Sequence, residues 1–135
     1  MKLNPYLSFH GNCRVAMDFY QQILGGELTL QTIGESPLSE QMPPKMRELI
    51  LHSALVAGSV TIMGSDMVGP DGLHHGNANA LMLDCDNEAD VHRIFAALSD
   101  GGTVNHPLRL EFFGAFMGNV TDRFGHTWML HHRPA

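Results

Sequence analysis

Tyr6-Leu7-Ser8-Phe9, then Asn12, an apolar stripe at Val15, Ala16, Phe19, Tyr20 and Ile23, and finally Gly25-Gly26 form the stretch whose reading decides the fold. The first four residues are aromatic and apolar around one serine and follow Pro5, which a strand start tolerates, so they predict a strand. Asn12 is placed to cap a helix, its side-chain oxygen accepting from the unpaired N–H groups of the first turn. The stripe recurs at helical spacing and predicts one buried face. The glycine pair ends the helix by supplying a left-handed residue at no steric cost.

Working outward, the same order recurs in the second half. Ala80-Leu81-Met82-Leu83 predicts a strand, Asp86 or Asn87 a cap, and Val91, Ile94, Phe95 and Leu98 a helical apolar face behind Glu88 and Asp90, two acids favoured at the positive end of a helix. Gly101-Gly102 then stops this helix as Gly25-Gly26 stops the first. Strand character follows each pair, over residues 27–33 and 103–113, with Pro107 marking an edge or a bulge. A hairpin closes each half. The first turns near Gly58 and returns through residues 60–63; the second turns at Phe124-Gly125 and returns through residues 127–130. Internal repetition of this kind governs the whole reading. The chain is predicted to be α+β, one domain of two tandem β-α-β-β-β modules whose curled mixed sheets surround a cleft. Module one covers about 3–66, a linker 67–76 and module two about 77–132, while residues 34–45, with Pro37, Pro43 and Pro44, form a long loop without a counterpart.

Composition bounds the function. At 135 residues, 44% hydrophobic and 16% charged, the chain has the length of one domain and the material for a real core. A net charge of −6 with eight scattered Lys and Arg excludes a phosphate-binding surface, so no nucleic-acid partner is expected. No apolar run approaches the roughly 20 residues of a membrane span, and no signal-peptide core follows Met1. Two cysteines exclude a disulfide framework and point to a reducing cytoplasm.

The opening Pro5-Tyr6-Leu7-Ser8-Phe9-His10-Gly11-Asn12-Cys13, the Phe19-Tyr20 helix end before Gly25-Gly26, and the closing segment from Gly118 to Trp128 resemble the vicinal oxygen chelate superfamily, the glyoxalase, bleomycin resistance and dioxygenase group. Within it, the chain is similar to the PhnB-like branch. The resemblance implies paired modules curled around a cleft, a homodimer, and a small-molecule ligand. It does not fix a reaction. Metal enzymes of the superfamily place one His, Gln or Glu on the first and last strand of each module. Counting from Asn12, its counterpart in module two, and the hairpin glycines, those positions fall on Pro5, Ala80, Ile62 and Met129. None suits a hard or borderline divalent ion, so the expectation is a cleft with no metal and no cofactor, binding an apolar or cationic molecule.

Leu7, Phe9, Met63, Met82, Phe113 and Met129 are the candidate lining of that cleft, an apolar wall of the usual kind for a small-molecule site. A competing reading is a divalent-metal enzyme using displaced ligands. Its candidates are His10, His52 and Glu111, each at or near a strand that would face the cleft. Glu111 in Leu110-Glu111-Phe112-Phe113 reads either as an acid whose burial raises its pKa for proton transfer or as the solvated member of an alternating strand, the second being favoured. His106 is a similar candidate. The pairs His74-His75 and His131-His132 lack chelating spacing and read as solvated. Asp122 reads as a turn cap, and Cys13 and Cys85 as echoes of the repeat near helix N-termini, where thiol pKa falls. Neither a G-x-G-x-x-G turn nor a P-loop occurs, which argues against nucleotide-type cofactors and against the methyltransferase label often attached to PhnB-like sequences.

Overall fold

The computed structural model describes all 135 residues. They form two compact units, Met1–His74 and His75–Ala135. The first holds β1 (Tyr6–Ser8), α1 (Cys13–Leu24), β2 (Glu27–Thr32), β3 (Ile50–Ala57) and β4 (Val60–Ser65); the second holds β5 (Leu81–Asp84), α2 (Glu88–Ser99), β6 (Thr103–Leu110), β7 (Phe116–Thr121) and β8 (Thr127–His132). Each unit builds a four-stranded mixed sheet, in the orders β1-β4-β3-β2 and β5-β8-β7-β6. The first strand of each pairs parallel with the last, and the other pairs are antiparallel. The fold class is therefore α+β with two β-α-β-β-β modules.

Each sheet has one face under its helix and one open face. Cross-strand partners share a face, and successive residues alternate. In module one the register Leu7↔Gly64↔Ser53↔Leu30 lies under α1, together with Leu55 and Ile62. Leu55 and Ile62 are buried there against Ala16, Met17, Tyr20 and Ile23 of the helix. Burying each large side chain of this set contributes about 1.5–3 kcal/mol, which is why an isolated twelve-residue helix of this composition is held. In module two Trp128, Leu130 and Val120 lie under Val91, Ile94 and Leu98 of α2.

The repeat reaches atomic detail at the glycine pairs. A Cβ on Gly26 would collide with the Val56 carbonyl and Ala57 of β3; one on Gly102 would collide with the Thr121 carbonyl and Asp122 beside β7. Backbone must pass backbone at both places, and glycine alone leaves room.

Three expectations are corrected, and the loop over residues 34–45 gains detail. Val15 is exposed at 60%, because the buried stripe is centred on Cys13, Ala16, Met17, Tyr20 and Ile23, one spoke away. Asn12 does not cap α1 with its side chain. β6 ends at Leu110, three residues early, because Gly114 N donates to the Glu111 carbonyl at 2.9 Å and closes a turn. The loop over residues 34–45 is built from short 3-10 turns at Ile33–Glu35, Pro37–Gln41 and Pro44–Met46, the first stabilised by a reciprocal Thr32–Glu35 capping box. Pro107 behaves as expected, in an edge strand whose register shifts on both sides of His106.

Candidate functional site

Cross-strand rows define what each open face offers. In module one the central row is Tyr6–Met63–Ala54–Thr29, flanked by His52–Gln31. Tyr6 stacks on His52, and its hydroxyl lies 3.1 Å from His52 Nδ1. In module two the corresponding row is Met82–Met129–Asn119–His106, followed by Asp84–His131–Met117–Arg109. The central row of the second sheet therefore carries an amide and an imidazole where that of the first carries small groups, and its next row adds a carboxylate, an imidazole and a guanidinium.

A groove of about 850 Å³ lies over the module-two face, lined by the segment from His75 to Ala80 and by Asn105, Asn119, Thr121, Thr127 and Met129. Asn105 Nδ2 donates to Asn119 Oδ1 and to Thr121 Oγ1, both at 2.9 Å, and Thr121 Oγ1 lies 3.1 Å from Thr127 Oγ1. This ladder fixes the side chains and leaves the Asn119 NH2 as a donor. At the foot of the groove Gly125 packs on the His75 ring, which meets His126 edge-on.

The candidate lining is only partly brought to the open faces. Met63, Met82 and Met129 lie there, but Met129 alone lines the groove. Leu7 and Phe9 do not: both are buried, and Phe9 packs on Tyr20 and over Gly64. Alternation puts them on the helix side because Tyr6, not Leu7, is the open-face residue of β1. Phe113 sits in the turn after β6, 44% exposed, against Phe112.

The titratable candidates do not converge on one place. His10 lies exposed in the loop after β1, where its backbone N–H donates to Asn12. Glu111 receives His106 Nε2 at 2.8 Å and Arg109 Nε at 3.0 Å. Those bonds, His106 first, hold its carboxyl below the usual range, the reverse of the rise that burial would bring. The two thiols are also reversed. Burial pushes Cys13 and Cys85 up to about 11, with nearby aspartates adding to the rise.

Two residues that sequence reasoning passes over or sets aside prove structured. Buried Asp66 accepts from the backbone N–H groups of Gly11 and Cys13 at Oδ1 and of Ile50 at Oδ2, so the α1 terminus is capped from the end of β4. Only tertiary pairing reveals this. His131, read as solvated, has Nδ1 2.8 Å from Asp84 Oδ1, while His132 Nδ1 lies 2.8 Å from the Cys85 carbonyl. Asp122 caps its turn as expected, accepting from Phe124 and His126 N–H groups, and also holds Trp128 Nε1 at 2.8 Å.

The superfamily's metal positions do not fit a divalent ion. The open-face residues nearest the counted positions are Tyr6 and Met63 in module one, Met82 and Met129 in module two, with the lone Asp84–His131 pair two residues further along β5 and β8. Pro5 falls on the opposite parity to Tyr6, and Ile62 to Met63, the latter because the β3–β4 hairpin turns between paired Ala57 and Val60, whereas the β7–β8 hairpin spans residues 122–126. A phenol and thioethers are a poor donor set for Zn²⁺, Mg²⁺ or Mn²⁺. No group of three His, Cys, Asp or Glu side chains is arranged to hold a metal ion, so His10, His52 and Glu111 do not form one. No helix is long and apolar enough to cross a membrane.

Comparison with known proteins agrees with this architecture. Residues 2–130 match the model of the Glyoxalase/Bleomycin resistance protein/Dioxygenase superfamily. Protein YjdN of Escherichia coli K12 is 35% identical, over 96% of this chain and 94% of that protein. The crystal structure of PA1353 from Pseudomonas aeruginosa superposes with a TM-score of 0.86 at 38% identity, covering 98% of both chains. The PhnB protein from Bacillus cereus shares the fold, with a TM-score of 0.76 at 20% identity over 98% of this chain and 99% of that one. The chain belongs to the Glyoxalase/Bleomycin resistance protein/Dioxygenase superfamily and groups within it with YjdN and, by fold, with PhnB.

Proposed function

We propose that this chain is a PhnB-like small-molecule-binding protein whose ligand is neutral and polar and occupies the groove of module two. The observation that carries the reading is the lining: Asn77, Asn79, Asn105, Asn119, Thr121 and Thr127 surround Met129, with no Asp, Glu, Lys or Arg among the lining residues. Amides and hydroxyls donate and accept, so they match hydroxyl, carbonyl or amide groups, while the thioether meets a carbon face. A volume of about 850 Å³ falls within the range of ordinary ligand sites. This lining moves the ligand class from the apolar or cationic molecule expected from sequence to a neutral one. The superfamily's name spans enzymes and a drug-resistance protein, and the Bacillus cereus PhnB protein is named a 3-demethylubiquinone-9 3-methyltransferase; neither fixes the activity of this chain. A homodimer in the cytoplasm belongs to the same proposal and is measured by sedimentation and fractionation.

The test is titration of isotope-labelled protein with neutral polyols and ketoses, a tetraalkylammonium ion, and an anilinonaphthalene dye, reading the side-chain amide signals of Asn105 and Asn119. Neutral probes are expected to move both signals, and Asn119→Leu to weaken their binding about tenfold, the worth of one hydrogen bond in a shielded groove. Movement with the cation or the dye alone would overturn the ligand class.

A further inference from the structure

We propose that the chain modifies itself at Asp71–Gly72: with help from His74, the aspartate closes onto the next backbone nitrogen and reopens as isoaspartate. Aspartate followed by glycine occurs twice, at Asp71–Gly72 and Asp100–Gly101, and glycine leaves its backbone nitrogen unobstructed because it carries no side chain. The two sites begin alike. His74 Nε2 lies 3.0 Å from the Asp71 carbonyl oxygen, and Arg123 Nε donates to the Asp100 carbonyl at 3.1 Å. A carbonyl oxygen only accepts, so His74 donates as well, and either bond draws electrons from the amide and eases loss of the proton on the following glycine nitrogen.

The carboxyl groups set them apart. Arg123 Nη2 holds Asp100 Oδ2 at 3.1 Å, so this side chain cannot turn onto the Gly101 nitrogen without giving up a charged hydrogen bond. The guanidinium also packs over Gly101, where a Cβ would meet Arg123 Nε at 3.0 Å. The backbone there is tied as well, by Asp100 N–H to the Ala97 carbonyl and Gly102 N–H to that of Ser99. Asp71, in contrast, is exposed, and its carboxylate has no hydrogen bond or ion pair from the protein. One backbone bond crosses its turn, from Gly72 N–H to the Gly69 carbonyl at 3.1 Å, a weak restraint in water. A Cβ on Gly72 would meet nothing, so no neighbouring group resists rearrangement of the turn.

The step needs water alone. The Gly72 N–H proton passes to solvent and the nitrogen electron pair forms a bond to Asp71 Cγ. The Cγ–O bond of the protonated carboxyl breaks, and its oxygen leaves as water. The resulting five-membered imide then takes up one water. Entry at the main-chain carbon of Asp71 breaks the bond from that carbon to the Gly72 nitrogen, leaves Gly72 attached through the side-chain carbonyl and frees an α-carboxylate; entry at Cγ restores aspartate. Nothing is oxidised or reduced. The product carries one extra methylene in the main chain four residues before His75, where the groove-lining segment starts.

The test incubates the whole protein in mildly acidic water enriched in oxygen-18, then applies an isoaspartyl methyltransferase with labelled S-adenosylmethionine. Tryptic peptides 48–93 and 94–109 separate Asp71 from Asp100. Peptide 48–93 is expected to gain methyl label and oxygen-18 about tenfold faster than 94–109, the worth of one charged hydrogen bond. Asp71→Glu should abolish the gain, since closure would then need a six-membered ring. His74→Gln should slow it several-fold while leaving urea unfolding unchanged, and Arg123→Gln should raise 94–109 toward 48–93. Equal gain in the two peptides of the wild-type protein, or a gain in 48–93 that survives Asp71→Glu, overturns the site. An unchanged rate in His74→Gln overturns the part given to His74.

Discussion

Module one and module two share strand order, helix placement and the glycine passage, yet their open faces differ in kind. The row Tyr6–Met63–Ala54–Thr29 has Met82–Met129–Asn119–His106 as its counterpart in the repeat, and the next row of module two adds Asp84, His131 and Arg109. The helix side of each sheet is constrained by packing, which tolerates few changes. The open side is not, so module one keeps Tyr6–His52 beside Gln31 while module two has gathered the Asn105 ladder, Asp84–His131 and His106. Duplication here preserves the core and lets the open faces diverge.

The buried carboxylates test how far the equivalence of the modules extends. Asp66 joins Gly11, Cys13 and Ile50, residues far from it in sequence, whereas Asp122 holds N–H groups two, four and six residues ahead in its own hairpin. Asp66→Ala strands backbone donors at a helix start and a strand start together. Urea unfolding should show a loss of about 3–4 kcal/mol, the largest of the series. Asp122→Ala should cost about 2–3 kcal/mol and change the Trp128 fluorescence, because its contacts are local and part of the turn can rehydrate. Equal losses would break the distinction between a tertiary clamp and a local one.

The thiols give the next comparison. Cys13 is the first residue of α1, whereas Cys85 follows β5 three residues before α2, so they are not counterparts in the repeat, yet both are pushed up to about 11 by burial. Cys13 is buried and Cys85 half-buried. At pH 8, iodoacetamide should modify Cys85 about 100-fold more slowly than the unfolded chain's thiol, with the rate rising about tenfold per pH unit to pH 10 as thiolate forms. Cys13 should lag further because reagent cannot reach it. The sign for stability is the same in both modules: the unfolded chain releases its thiol protons first, near 9, so stability is lost as pH climbs from 9 toward 11. Fast modification of either thiol at neutral pH would contradict the buried assignment.

The repeat is legible in the sequence because periodicity and glycine pairs are local signals. Tyr6-Leu7-Ser8, the α2 cap at Asn87, the bulged edge at Pro107 and the Asp122 turn all follow from neighbours within a few residues. Facing is less legible, since a one-residue parity change moves a side chain through the sheet. Leu7 and Ile62 go to the core that way, Leu7 because Tyr6 takes the open face of β1 and Ile62 because the two hairpins that set its count differ in length. Asp66, Asp84–His131 and the Asn105 ladder are not legible at all. Each depends on residues brought together from at least 14 positions apart, and nothing in the spacing of Asp84 and His131 announces that β5 and β8 pair in register.

The smallest effects separate two of the histidine contacts, those of His52 and His106. His52 meets a phenol, Tyr6, at an exposed site, so Tyr6→Phe should change stability by less than about 0.5 kcal/mol at any pH between 5 and 8. His106 instead meets Glu111, whose ionised form is favoured by that hydrogen bond first and by Arg109 second. Carbon-13 titration should find Glu111 below the ordinary 4.5 of a glutamate, and His106→Gln should move it part of the way back. Because the folded value is the lower one, the contribution of this cluster is present above the unfolded value and fades as pH falls through the folded one. A Glu111 that titrates at its ordinary value would mean the module-two cluster is as quiet as Tyr6–His52, and the asymmetry between the faces would then rest on the groove and on Asp84–His131 alone.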